Sequence, residues 1–130
     1  MILNEENYVD KAQEVIEYLA QRANRRNPMV TTSKIRKLLS VTADIYNDIC
    51  LCVDDKLDNS IIIRINYLKI LCIYEAGRDD KNTGVRNFIK KSEMIRCIEE
   101  IQGSKKRFIL FNKYMEALIA YHRYYGGKEI

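Results

Sequence analysis

The stretch Ser104–Gly127, SKKRFILFNKYMEALIAYHRYYGG, decides how this chain of 130 residues folds. Five of its residues recur at alternating intervals of three and four and so share one helix face: Phe108, Phe111, Met115, Leu118 and His122. A second stripe beside it contains Leu110, Tyr114, Ala117, Tyr121 and Tyr125. A helix that is apolar over most of its circumference is typical of the buried axis of a bundle. Ser104 fits an N-cap, and Gly126–Gly127 predicts the end of the helix.

The rest of the chain predicts further helices at Glu5–Arg25, Ser33–Cys52 and Ser60–Ala76, and one or two short ones within Val85–Ile101. Residues expected to be buried recur at helical spacing: Val9, Ala12, Ile16, Leu19 and Ala23 in the first helix, Ile35, Leu38, Thr42, Ile45 and Ile49 in the second, and Ile61, Ile65, Leu68 and Cys72 in the third. Asn4 is expected to cap the first helix. We therefore predict one domain over residues 1–130, an all-α compact bundle of about five helices with short connections.

The composition indicates the class of protein. Hydrophobic residues make up 47% and charged residues 31% of the chain, which is the balance of a soluble globular domain. No apolar run approaches the ~20 residues that a membrane-spanning helix needs. The N-terminal residues MILNEENY are too short and too acidic for a signal peptide. We expect a cytoplasmic protein without a membrane partner.

Few residues suit catalysis or metal binding. The chain has no C-x-x-C pair, and its thiols are predicted to be reduced and packed: Cys50, Cys52, Cys72 and Cys97. His122 is the only histidine and has no carboxylate among its helical neighbours, which predicts a buried ring with satisfied nitrogens. Glu75, Asp79 and Asp80 lie near a helix end, where carboxylates usually decorate the terminus or neutralise a cation such as Arg78. With no phosphate-binding loop and no zinc-protease motif, we expect no enzyme, no cofactor and no metal site.

Charge is distributed unevenly along the chain. Residues 21–37 hold six basic residues and no acidic one: Arg22, Arg25, Arg26, Lys34, Arg36 and Lys37. Residues 1–20 and residues 40–60 each hold one basic and five acidic residues. A basic zone at the first interhelical corner attracts phosphate without reading sequence. The same pattern also fits a solvated helix end, and charge alone does not choose between the two interpretations.

The third helix carries a second candidate surface. One stripe of this helix contains Arg64, Tyr67, Leu71, Tyr74 and Arg78 at helical spacing. Arginine gives forked contacts to phosphate, so Arg64 and Arg78 are predicted to contact nucleic acid or a partner. Tyr67 and Tyr74 could stack on bases, but we expect them to pack at the edge of the core with their hydroxyls pointing outward.

Four strings in this order resemble one protein family: Thr31–Leu39, TTSKIRKLL; Tyr67–Asp79, YLKILCIYEAGRD; Phe111–Leu118, FNKYMEAL; and Ala117–Gly127, ALIAYHRYYGG. The chain resembles the small subunit of type III-A CRISPR effectors, the Csm complexes. The similarity runs from about Thr31 to the C-terminus. The residues before Thr31 and the acidic turn Asp54–Asn59 contribute little to it.

This resemblance implies a non-catalytic, RNA-associated subunit of an interference complex. Several copies would stack into a filament along the duplex of guide RNA and target RNA, opposite the backbone subunits that hold the guide. Nuclease activity and cyclic-oligonucleotide synthesis would belong to other subunits, among them a large polymerase-like one. The predicted RNA-binding residues are Lys34, Arg36 and Lys37 in the first string, Arg64 just before the second, and Arg78 within it.

Two other classes of protein stay open at this stage. A free-standing helical DNA-binding regulator could use Ser33–Cys52 as a recognition helix, although helix-turn-helix units have shorter helices and tighter turns. A helical nuclease would need a catalytic set that the chain does not offer. The sequence gives neither the number of copies in a complex nor the face that meets each partner.

Overall fold

The computed structural model of the protein describes residues 2–79 and 83–126, and these residues fold into six α-helices. The helices are α1 (Tyr8–Arg22), α2 (Thr32–Ile49), α3 (Asn59–Gly77), α4 (Val85–Lys91), α5 (Met94–Glu99) and α6 (Lys105–Tyr124). The described part contains no strand, only one isolated bridge between Lys56 and Ser104. The predicted all-α bundle is confirmed, and the segment Val85–Ile101 holds two short helices.

Helix α6 is the element against which both α1 and α2 pack. Its predicted stripe from Phe108 to His122 is buried throughout, and Tyr114 of the second stripe is buried as well. The Tyr114 hydroxyl donates a hydrogen bond of 2.9 Å to the Ser92 carbonyl, which ties α6 to the turn between α4 and α5. Each large apolar side chain buried in this way contributes about 1.5–3 kcal/mol. The interpretation of α6 as a core helix is therefore confirmed.

Both ends of α6 lie where the sequence predicts them. The Ser104 side chain accepts a hydrogen bond from the backbone N–H of Arg107 and caps the helix. Asp55, in the acidic turn before α3, accepts from the N–H of Lys106 at 2.9 Å and from the Ser104 hydroxyl at 3.0 Å. These bonds keep the pKa of Asp55 low, which suits a carboxylate at a helix N-terminus. At the other end Gly126 has φ of 83°, while Gly127 lies outside the described residues.

The predicted buried stripes of α2 and α3 are confirmed, from Ile35 to Ile49 and from Ile61 to Cys72. Helix α2 packs between α6 and α3, and α3 also packs on α4 and α5. The boundaries differ by only a few residues from those expected, and the main difference is that α2 ends at Ile49 rather than Cys52.

Helix α1 is shorter than predicted and buries only the middle of the predicted stripe. It begins at Tyr8 after a turn in which the Asn4 side chain accepts hydrogen bonds from the next N–H groups, and it ends at Arg22. Beyond that end, the Asn24 side chain accepts from the N–H groups of residues 26 and 27 and holds a local turn. Its buried residues are Ala12, Val15 and Ile16, so the predictions that Val9 and Ala23 are buried were wrong.

His122 joins α6 to the segment before α2. Its Nε2 lies 2.5 Å from the Val30 carbonyl oxygen, and its Nδ1 lies 3.5 Å from the Thr32 hydroxyl. A neutral ring that donates from Nε2 and accepts at Nδ1 satisfies both contacts. Burial lowers the pKa of His122, although the bond to Val30 acts in the opposite direction. The interpretation as a satisfied core histidine is confirmed.

The thiols divide into two groups. Cys72 and Cys97 are buried as expected, and burial raises the pKa of each to about 12. Cys50 is exposed and Cys52 is half-buried, so the prediction of a packed thiol was wrong for Cys50. The physical reason is that α2 ends at Ile49, which places Cys50 after the last buried turn of the helix.

A charge placed on the buried face of α6 should unfold the protein. Met115→Asp or Leu118→Asp buries an unpaired carboxylate at a cost of several kcal/mol, a large share of the stability of a small domain. Ala120→Asp makes the same charge change at an exposed position of the same helix and should cost about 1 kcal/mol or less. Thermal melts followed by circular dichroism compare the three variants. Equal melting temperatures would show that α6 is not the core helix.

The histidine should make stability depend on pH near neutrality. Because the folded pKa of His122 lies below its usual value of about 6.5, the unfolded chain binds the proton more readily. Stability is therefore full above pH 6.5 and decreases as the pH falls from there toward the folded pKa. His122→Gln keeps a donor for Val30 but does not titrate, so its urea midpoint should change less between pH 7.5 and 5.5. If the urea midpoints of both proteins change equally with pH, His122 is not the group that makes stability depend on pH.

Candidate nucleic-acid interface

The five predicted RNA-binding residues lie on two neighbouring helices. Lys34, Arg36 and Lys37 are in the first turns of α2, and Arg64 and Arg78 are near opposite ends of α3. Arg36, Lys37 and Arg78 are exposed, whereas Lys34 and Arg64 are half-buried. The structure brings Lys37 and Arg78 together on one carboxylate and leaves Arg64 in a separate ion pair.

Glu75 is the carboxylate that Lys37 and Arg78 share. Lys37 Nζ lies 2.7 Å from its Oε1, and both Nε and Nη2 of Arg78 lie 3.1 Å from its Oε2. The Glu75 side chain is only 6% exposed. Burial acts to raise its pKa, but the bonds from Lys37 and Arg78 outweigh that effect and lower the pKa of the carboxyl. The group is ionised at neutral pH and cancels one of the two positive charges.

Arg64 also holds a carboxylate. Its Nη1 pairs with Asp48 of α2, which ties the end of α2 to the start of α3. Both side chains of this pair are partly exposed, so the pair contributes about 0–1 kcal/mol. Three of the five predicted residues therefore have an acidic partner within the chain, and a phosphate that bound them would compete with that partner.

The tyrosines of the α3 stripe lie outside the core, so the expectation that Tyr67 and Tyr74 pack at its edge was wrong. Each of the two residues is 60% exposed. The reason is that α3 packs on α2, α4 and α5 through its other sides, and no described helix covers this one. The Arg78 guanidinium carbon lies 5.5 Å from the centre of the Tyr74 ring.

A second basic surface is a cleft of about 470 Å³ between α1, α4 and the segment before α2. We call it the basic cleft, and its lining residues are Tyr18, Leu19, Arg22, Asn27, Pro28, Met29, Val30, Gly84, Asn87, Lys90 and Lys91. None of these described lining residues is acidic. The Tyr18 ring holds two of the cations, with the Arg22 guanidinium carbon 3.7 Å and the Lys91 ammonium 4.0 Å from its centre.

The shape of the basic cleft depends on a glycine. Gly84 has φ of 91°, and a Cβ at this position would lie 2.5 Å from the Val30 nitrogen and 2.6 Å from the Pro28 carbonyl oxygen. Only glycine allows the backbone before α2 to lie directly against the start of α4. This contact forms the floor of the cleft.

Part of the basic cleft was predicted from the sequence. Arg22 belongs to the predicted basic segment 21–37, but Tyr18, Lys90 and Lys91 were not among the candidates. The adjacent pair Lys90–Lys91 was the available signal. Its partners on α1 are some seventy residues away in sequence, so only the packing of α4 on α1 shows that the cations converge.

Two of the three carboxylates considered for catalysis, Glu75 and Asp79, have structural roles in the described part of the chain. Glu75 is held in the ion pairs described above. Asp79 accepts hydrogen bonds from the N–H and hydroxyl of Thr83, at 2.7 and 2.8 Å, and from the N–H of Arg86 at 3.1 Å. Asp80 lies outside the described residues. Within residues 2–79 and 83–126, no cluster of three histidine, cysteine or acidic residues could hold a metal ion.

In the same ranges, no helix has both the length and the apolar character for crossing a membrane.

Comparison with known proteins points to one family. The family model described as Csm2 Type III-A matches residues 4–128. A protein of Streptococcus thermophilus named "CRISPR system Cms protein Csm2" is 38% identical over 128 residues, which cover 98% of both chains. A protein of the same name from Mycobacterium tuberculosis is 30% identical over 129 residues, or 99% of both chains. A third, from Enterococcus italicus, is 34% identical over 98 residues, which cover 74% of this chain and 68% of the relative.

Removing the shared carboxylate should lower the stability of the fold and raise the affinity for RNA. Glu75→Gln breaks two ion pairs at a nearly buried site and should cost about 1–3 kcal/mol. It also raises the local charge by one, so the subunit should bind RNA a few-fold more tightly at low salt. The measurements are urea unfolding and a fluorescence titration with labelled RNA.

Glu99→Gln is the matched control, because it breaks the exposed Lys69–Glu99 pair and should cost less than about 1 kcal/mol. If Glu75→Gln unfolds no earlier than this control, the shared carboxylate does not stabilise the fold. Weaker RNA binding by Glu75→Gln would mean that Glu75 is needed to position Lys37 and Arg78.

Proposed function

Since the chain belongs to the Csm2 family of type III-A CRISPR systems, we propose that it is a non-catalytic subunit that holds the phosphate backbone of a guide RNA–target RNA duplex. The observation that carries the RNA contact is the basic cleft, whose described lining residues include three cations and no acid. Cations without carboxylate partners are those that gain most from a phosphate.

The two basic surfaces make different contributions to this function. In the basic cleft, Tyr18 holds Arg22 and Lys91 in place, so little side-chain entropy is lost when a phosphate binds. At the α2–α3 surface, Lys37, Arg64 and Arg78 are already partly neutralised, so their contacts to phosphate are weaker. We therefore assign the main contact to the cleft and a supporting contact to Lys34, Arg36, Lys37, Arg64 and Arg78.

Backbone contact without base reading is the division of labour expected in an RNA-guided complex. Base pairing between guide and target carries the sequence information, and the protein recognises the shape and charge of the duplex. A-form RNA has a deep major groove whose base edges side chains cannot read, and its duplex is recognised mostly through phosphates and the 2′-hydroxyls of the shallow minor groove. The lysines and arginines of this chain suit that task because they bind phosphate of any sequence.

We further propose that copies of the chain stack on one another. The stack would lie beside the backbone subunits that hold the guide and beside a large polymerase-like subunit. The uneven charge of the chain supports head-to-tail stacking, because residues 21–37 are basic whereas residues 1–20 and 40–60 are acidic. Such a contact joins two different surfaces and can propagate into a filament. Several copies along one duplex would convert weak single contacts into tight overall binding.

The isolated subunit should bind RNA weakly and without sequence preference. Three to five phosphate contacts correspond to a log–log salt slope of roughly −2 to −4 for single strands. Lys90→Ala/Lys91→Ala should reduce that slope by roughly 1.4, whereas Lys106→Ala/Lys113→Ala removes the same charge elsewhere and should change it less. A salt titration against two unrelated RNAs and a duplex DNA of equal length measures the slopes.

Three outcomes of this titration would contradict the proposal. Equal losses in the two double variants would show that only net charge matters and that the cleft is not a contact site. Tight, salt-insensitive binding of one DNA sequence would indicate a DNA-binding regulator instead. Cleavage of the RNA in the presence of Mg²⁺ or Mn²⁺, detected when the titration samples are run on a denaturing gel and retained by rigorously purified protein, would show an enzyme.

A further inference from the structure

Helix α3 presents an apolar surface that no described part of the chain covers. Ile63, Tyr67, Ile70 and Tyr74 follow one another at intervals of four, three and four residues, and each is 60–66% exposed. We call these four residues the outer stripe of α3. Isolated exposed apolar residues are common, but four on successive turns of one helix form a continuous patch of the kind that marks an interface.

Each cation around the outer stripe has a carboxylate partner within the chain. Arg64 pairs with Asp48, Lys69 Nζ lies 2.8 Å from Glu99, and Arg78 pairs with Glu75. A nucleic acid gains less from such cations than from cations without carboxylate partners. An apolar stripe whose neighbouring cations are already paired fits another protein surface of the same kind.

We infer that the outer stripe of α3 is a two-fold interface between two copies of this chain, with the two α3 helices antiparallel. The alternation Ile–Tyr–Ile–Tyr is the basis of this assignment. A two-fold axis between Tyr67 and Ile70 places Tyr67 of one copy against Ile70 of the other, and Ile63 against Tyr74. Every contact then pairs a flat ring with an aliphatic side chain, and the surface is its own complement.

Charges at the ends of α3 favour the same arrangement. Asp58 caps the N-terminus of α3, and Arg78 follows its C-terminus. An antiparallel pair brings Arg78 of one copy toward Asp58 of the other. Glu75 cancels only one of the two charges of Lys37 and Arg78, so opposite net charges meet at both ends. In a parallel pair each end would face an identical charge.

The size of the patch fits a weak, reversible dimer. Two tyrosines and two isoleucines exposed to this extent offer roughly 400–500 Å² per copy, and neighbouring side chains such as Ile73 add to it. The total for two copies reaches about 1,000 Å², the lower bound for a specific interface. We expect a dissociation constant in the micromolar range. Since a two-fold contact closes on itself, this pairing stops at two copies and differs from an open filament contact.

Sedimentation velocity of the purified chain between about 1 and 500 µM tests this inference. The unaltered protein should pass from monomer to dimer in that range. Tyr67→Lys and Ile70→Glu each place an unpaired charge in the interface and should each weaken dimerisation at least about tenfold. Val53→Glu is the control: it places a charge at an apolar residue in the loop after α2 that is 97% exposed, and this variant should dimerise normally.

The mixture of the two variants tests the register. Tyr67→Lys protein mixed with Ile70→Glu protein can form a heterodimer in which lysine faces glutamate at one contact and Tyr67 faces Ile70 at the other. We expect dimer to return in the mixture, while melting temperatures show that both variants stay folded.

A chain that stays monomeric at 500 µM would overturn the inference, and so would a dimer that the α3 variants leave unchanged. If both variants are monomeric and their mixture is too, the antiparallel register is wrong.

Discussion

A helix of 20 residues that is apolar over most of its surface must be covered, and the burial of α6 is the constraint that arranges the rest of this protein. Helices α1 and α2 cover it, and His122 ties it to Val30 in the segment between them. The same segment is held from its other side by Gly84 of the α4 turn. The position of Pro28–Val30, which forms the floor of the basic cleft, therefore follows from the way α6 is buried.

Helix α3 has an even more apolar sequence than α6 but a different environment. Its Ile61–Cys72 side packs on the core, while Ile63, Tyr67, Ile70 and Tyr74 face outward on the opposite side. The difference between α3 and α6 is positional, since α6 lies between two long helices and α3 packs on one long and two short ones. An apolar helix at the edge of a bundle keeps a free side, and that side is available for another protein chain.

The sequence predicts the elements of this fold better than the pairings between them. Local spacing is enough for the stripes of α2, α3 and α6, because each depends on residues within one helix. The end of α1 was missed because a single side chain, Asn24, stabilises a turn where the helix could have continued. Counting charges identified Lys37, Arg64 and Arg78, but could not show that their carboxylates come from another turn or another helix. Nor could it show that α4 brings Lys90 and Lys91 to Arg22, because that contact depends on tertiary packing.

A cation that has a carboxylate partner can still contact RNA through its remaining N–H donors. Arg78 uses Nε and Nη2 on Glu75, so its Nη1 remains for a second acceptor, and Lys37 has further N–H donors beyond the one it gives to Glu75. A phosphate that displaced Glu75 would leave a nearly buried carboxylate without its partners, at a cost of several kcal/mol. The favourable arrangement is one in which both cations keep Glu75 and share their outer donors with the backbone. In the proposed function, Glu75 holds Lys37 and Arg78 in place and cancels one of their charges, and the basic cleft supplies most of the charge that attracts the duplex.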